Sequence, residues 1–193
     1  MTPSLPVVSP EERIARLERR LGREREARRE AERIAEEGTR SLFEQQQRLE
    51  LIQAVAAAAN HMDDPADAFR FAVERICAHT GWPTGHVWMF PDDDPGGLLI
   101  SSGVWHPLEA EDTPFRLQTR DMSFCSGVGL PGRVLSEARA IWAEDVTLED
   151  NFPRADSARA SGLRAGFAFP ALIGDEVAAV LEFYQSRPVP PAP

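Results

Sequence analysis

Ile14, Leu17, Leu21, Glu24, Arg28, Ala31, Ala35, Gly38, Leu42, Gln45, Leu49, Ile52, Ala56 and Ala59 follow one another at alternating steps of three and four, without a break in register. Such steps average half a heptad, which keeps every member on one stripe of an α-helix, so the pattern dictates a single long helix with a coiled-coil seam. At 1.5 Å per residue that seam reaches roughly 70 Å, more than a domain built from the rest of the chain could cover. Ser9, Pro10, Glu11 and Glu12 mark its start as an N-cap, a proline at the first helical position and acids in the first turn. The two ends of the seam are apolar, whereas Glu24, Arg28, Gly38 and Gln45 weaken its middle. A lone helix solvated on all sides is one way to accommodate the balanced glutamates and arginines of residues 11–37. A homodimeric coiled coil is favoured, with Ile14, Leu17, Leu21, Leu42, Leu49 and Ile52 at the interface, because a solvated helix has no reason to hold these side chains in one register. A parallel arrangement is preferred.

Composition bounds what the helix is attached to. The chain has 193 residues, 42% of them apolar, with four tryptophans and ten phenylalanines, enough for one sizeable core beside the helix. The formal charge is -10 and there is no lysine, so the field repels nucleic acid and anionic membrane surfaces. Cys77 and Cys125 form no spaced set of the kind that holds zinc or a disulfide framework, which fits a reducing cytoplasm. No signal pattern opens the chain, and "LIQAVAAAA" falls far short of the ~20 apolar residues that span a bilayer. A cytoplasmic protein is expected. It divides into a disordered leader over 1–10, a coiled-coil helix over 11–47 that continues into a domain over 48–185, and a proline-rich tail over 186–193.

Within the domain, a break at "NHMDDP" precedes a helical face over Ala66 to His79 carrying Phe69, Val73 and Ile76. "GHVWMFP" and "GLLISSGVWH" read as a strand pair joined by the turn-rich "DDDPGG". "PFRLQTRDMSF" has no clean period. A short helix opened by Pro131 and running through Ala138, a strand "AIWAEDV" and a turn of helix inside "NFPRADSARASG" follow. "RAGFAFPALI" and "EVAAVLEFYQ" close the order as a hairpin turning on "GDE". The order predicts an α+β fold on an antiparallel sheet with helices packed on it.

"SGVGLPGRVL" holds Gly127, Gly129 and Gly132 at the spacing of a dinucleotide-binding loop. That loop needs an apolar strand before it, and "RLQTRDMSFCS" is charged and aperiodic; too little chain remains after Gly132 for a doubly wound sheet. The glycines are read instead as backbone freedom at Gly127 and Gly129 and close packing at Gly132, with Pro131 opening a helix.

The element order, "FCSGVGLPGRVLSEARAIWAEDV", "NFPRADSARASGLRAGFAFPAL" and the closing "VAAVLEFY" together resemble the GAF domain family over about residues 48 to 185. The preceding helix is similar to the signalling helices that join sensor modules in bacterial two-component proteins. The resemblance implies a GAF/PAS-like fold, a non-enzymatic role in signal transduction, and a signalling kinase or cyclase as effector partner. Members commonly continue into an exit helix, where this chain has "RPVPPAP"; output is therefore expected through the N-terminal helix, dimer geometry or an effector missing from this chain.

The resemblance also implies a small ligand, of unknown identity, between sheet and helices. The residues to line it are Trp88, Trp105, Phe124, Cys125, Trp142, Asp145, Phe152, Phe167 and Phe169, with the aromatics closing on a flat molecule and Asp145 as a polar anchor. The same aromatics equally serve as core, in which case the chain is a structural or adaptor dimerisation module with a self-filled pocket. No catalytic constellation and no metal set is present: Cys77 and His79 point to different faces of one helix, and no paired carboxylates occur in an apolar frame. Haem and bilin are not supported, because His86 and His106 are isolated strand histidines and "ADSARASGLRA" lacks the cysteine that bilin-attaching members use. Cys125, beside the glycine turn, is a candidate redox thiol against the reading of an inert packing residue. Leu49, Ile52 and Ala56 are expected to serve both the seam and the packing under the sheet.

Overall fold

Ser9 and Glu12 close a reciprocal capping box at the start of the first helix: the Glu12 amide donates to Ser9 Oγ at 3.2 Å and the Ser9 amide donates to the Glu12 carboxylate at 3.0 Å. In the computed structural model, residues 9–62, 64–94, 96–107 and 112–190 are described. Most of the leader expected over 1–10 lies outside them; Ser9 and Pro10 cap and open helix α1, Pro10–His61. Two compact units divide the chain between Glu50 and Leu51, inside that helix. Among the described residues no helix is long and apolar enough to cross a membrane.

Asp64 restarts the chain after the break by accepting the Ala66 amide, with Pro65 at the first position of helix α2, Pro65–Thr80. The buried residues Ala72, Val73 and Cys77 form its inner stripe. The strands are β1 Thr84–Met89, β2 Leu99–His106, β3 Ser123–Phe124, β4 Ile141–Ala143, β5 Ala165–Ile173 and β6 Glu176–Gln185. They form one antiparallel sheet in the order β3-β2-β1-β6-β5-β4. The two outermost strands are two and three residues long, which leaves little free edge for a neighbouring chain to pair with.

Helices α3 Pro114–Arg120, α4 Gly129–Glu137 and α5 Ala155–Ala160 complete the domain. α3 falls in the stretch read as aperiodic. It is two turns long, too short to show a period, and is held by the Thr113 hydroxyl accepting the Arg116 amide and by Pro114 in the first turn. α4 begins at Gly129, two residues before the expected start at Pro131, because its cap comes from elsewhere: Asn151 Oδ1 accepts the Gly129 amide at 2.9 Å.

Strand alternation sorts the core into two layers, one on each face of the sheet. Val87, Val104, Ala165, Ala179, Leu181 and Phe183 face one way with the inner stripe of α2. Trp88, Trp105, Phe124, Ala168, Val180 and Tyr184 form the other layer with Phe115 of α3, Leu130 and Val134 of α4, Phe152 and Ala158 of α5.

Candidate functional site

The glycine turn is pinned by Asn151, which accepts from the Gly129 amide and donates Nδ2 to the Gly127 carbonyl at 2.9 Å. Gly127 and Gly129 have φ of 84° and 63°, and a Cβ on Gly132 would lie 2.1 Å from the Cys125 carbonyl oxygen. The amides at this helix start are spent inside the protein: Gly127 on the Gly132 carbonyl, Val128 on that of Cys125, Gly129 on Asn151. The turn is a packing device.

Directly after Asn151, the same loop turns inward. Phe152 and Arg154 both enter the layer between the sheet and α3–α5, and Arg154 is fully buried. Its guanidinium meets both oxygens of the equally buried Glu182 carboxylate, at 2.8 and 2.7 Å, and also donates to Thr119 Oγ1 at 3.0 Å and to the Tyr184 hydroxyl at 2.9 Å. Tyr184 donates its own proton to Glu182 at 2.8 Å. Around the guanidinium carbon stand the rings of Trp88, Phe115, Phe124, Phe152 and Tyr184, with centroids 4.6 to 5.7 Å away. A flat, weakly hydrated cation caged by π faces and locked bidentately to a carboxylate is the geometry in which arginine outperforms lysine.

His86 extends the network. It pairs with Glu182 across β1 and β6, its Nδ1 lying 3.2 Å from the carboxylate and its Nε2 2.8 Å from Ser101 Oγ. Because the carboxylate can only accept, Nδ1 carries the proton and Nε2 accepts from Ser101. Burial pushes the imidazole pKa down by more than Glu182 raises it, so His86 is held neutral. Burial by itself would raise the Glu182 carboxyl; the charge and hydrogen bonds of Arg154, with His86 adding to them, overcome this and hold it well below its usual range. Both ring nitrogens of His86 are engaged, and neither is open to a haem iron. Trp88 Nε1 and Arg154 Nε are the buried side-chain donors without a partner among the described residues. A small, partly open cavity of about 90 Å³ adjoins the cage, lined by Thr84, Trp105, Phe115, Arg116, Ser161 and Leu163 among others. That is below the ~300 Å³ at which pockets for drug-sized ligands begin.

The structure divides the residues expected to share one pocket. Trp88, Trp105, Phe124 and Phe152 belong to the cage layer. Trp142, Phe167 and Phe169 lie on the opposite face with α2, because Phe167 and Phe169 alternate with the cage-side Ala168. Asp145 accepts from the Thr147 amide and hydroxyl at 2.9 and 2.7 Å and faces Arg164 at 3.4 Å, so it closes a turn after β4. Cys125 is exposed, and Cys77 is buried with its thiol pushed up to about 12 by desolvation. Among the described residues no group of three or more His, Cys, Asp or Glu side chains is placed to hold a metal.

Sequence reasoning missed Arg154 and Glu182. A signal was present, since Glu182 is a lone acid inside the apolar run "VAAVLEFY" and a buried charge demands a partner.

On α1, the seam residues Ile14, Leu17, Leu21, Leu42, Leu49 and Ile52 are 48% to 68% exposed. The expectation that seam and domain packing share residues is corrected within residues 51–61. There the domain-facing side is Leu51, Ala54, Val55 and Ala58, while Ile52, Ala56 and Ala59 remain exposed. At about 100° per residue the two sets occupy different sides of the helix.

A family model described as the GAF domain matches residues 63–191. Among solved structures, the GAF domain of A. aeolicus nlh2 in an inactive state is 14% identical, with 74% of this chain and 81% of that one covered and a TM-score of 0.56. The GAF domain of a phosphoenolpyruvate-protein phosphotransferase from Coxiella burnetii is 16% identical over 72% and 77% of the two chains, with a TM-score of 0.56. The free methionine-R-sulfoxide reductase of Neisseria meningitidis, solved with its substrate, is 13% identical over 74% of each chain, with a TM-score of 0.55. No curated protein matches in sequence.

Proposed function

The chain belongs to the GAF domain family, and from that premise we propose that it is a non-enzymatic regulatory module of signal transduction, assembled as a homodimer through α1. The observation that carries this reading is the seam: six large apolar side chains in one heptad register, each about half exposed or more, the last of them, Ile52, on the side of residues 51–61 that does not face the domain. Exposed apolar stripes of this kind are what a second copy buries. A regulatory rather than catalytic role is supported by Cys77, which is buried and held protonated and so offers no thiolate nucleophile.

A second reading is favoured by the cage. Arg154 and Glu182 fill the layer where the ligand of a sensor was expected, which suits an adaptor whose interior is occupied by its own side chains. Native mass spectrometry of the purified chain separates the two. A dimer carrying a co-purifying small molecule supports a ligand-sensing module, and a dimer of bare chains supports the adaptor. A monomer contradicts both.

A further inference from the structure

Residues 187–190 leave β6 and return across the α2 face of the sheet. The Val189 amide donates to the Glu144 carbonyl at 3.3 Å, and Trp142 Nε1–H donates to the Val189 carbonyl at 2.6 Å. Both backbone polar groups of Val189 are thus paired, and its side chain packs against the aromatic layer. The cluster it packs against includes an interlocked aromatic trio: Trp142 is stacked on Phe167 at 5.5 Å, and Trp82 meets both rings edge-on, at 5.2 and 4.7 Å. Pro188 and Pro190 flank Val189 and are exposed. Neither has an N–H to satisfy, and both hold the backbone extended before it docks, which lowers the ordering cost.

An aromatic trough, an indole N–H aimed at a carbonyl and an apolar residue set between two prolines are together the physical elements of proline-rich peptide recognition. We propose that the trough formed by Trp82, Trp142 and Phe167, with the Glu144 carbonyl at its rim, is a docking site for an extended Pro-x-Pro segment of a partner protein. The chain's own Arg187–Pro190 is its resident occupant. Because that occupant is tethered, it competes at a high effective concentration and keeps the site closed until it is displaced. This inference does not depend on dimerisation through α1.

The test uses full-length protein and a fluorescent peptide of sequence Arg-Pro-Val-Pro-Pro-Ala-Pro, copied from residues 187–193, read by anisotropy. Val189→Asp ejects the tail without altering the trough, and is expected to raise peptide affinity at least tenfold over the unmodified chain. Adding Trp142→Phe keeps a ring but removes the N–H, and is expected to cost at least fivefold. The double variant P188G/P190G, which loosens the tail without placing a charge near the aromatics, is expected to raise affinity as well. Equal affinity for the unmodified chain and both tail variants, or no effect of Trp142→Phe, overturns the proposal and leaves the tail as local packing.

Discussion

Arg154 and Glu182, 28 residues apart in sequence and neither touched by solvent, form a two-pronged ion pair inside a ring of five aromatic side chains. The pair ties the loop before α5 to the central strand β6, so it fixes the position of Phe152 and, through Asn151, of the glycine turn.

Removing one member leaves an uncompensated buried charge, which costs about 3–5 kcal/mol. Arg154→Met and Glu182→Leu are each expected to lower the free energy of unfolding by that order, read as a fall in the urea midpoint at unchanged slope. The double variant is expected to be more stable than either single one, since two apolar chains fill the same volume without desolvating a charge. Chemical denaturation of the three variants checks this.

The network also sets the response to acid. His86 titrates below its unfolded value of 6.5, so the unfolded chain takes up a proton first and stability falls as pH drops through 6.5. Glu182 is depressed from 4.5, so its contribution is present above that value and is lost as pH falls further toward its folded pKa. Urea midpoints at successive pH values are expected to show two declines, one beginning near 6.5 and one near 4.5, with His86→Gln removing only the first.

Thiol accessibility separates the two cysteines. Native protein at pH 8 is expected to take one equivalent of an alkylating reagent, at Cys125, while Cys77, whose thiol is pushed up to about 12, reacts only on unfolding. Mass spectrometry of labelled peptides reports the site, and two equivalents in native protein would contradict the burial of Cys77.

The glycine turn makes its own prediction. Gly132→Ala sets a methyl against the Cys125 carbonyl at 2.1 Å, which backbone movement alone can relieve, and is expected to cost about 1–3 kcal/mol in thermal or urea unfolding.

Much of this architecture is legible in the chain because it is local. The cap at Ser9, the break before Pro65, the stripe of α2 and the β5–β6 hairpin each announce themselves within a few residues. The features that are not legible depend on distance. α4 starts early because Asn151, from another loop, caps it. The aromatic residues group differently from the sequence expectation because which face Phe167 or Trp88 joins depends on sheet pairing. Arg154 looks like any loop arginine until the strand carrying Glu182 is brought beside it.

Light scattering coupled to size exclusion reads assembly through α1 as a mass. The unmodified chain is expected at twice its 21.4 kDa monomer mass, and the double variant Leu17→Asp, Leu21→Asp at the monomer mass with the circular dichroism of its domain unchanged. An unmodified chain running as a monomer, or a variant whose mass does not change, would contradict it.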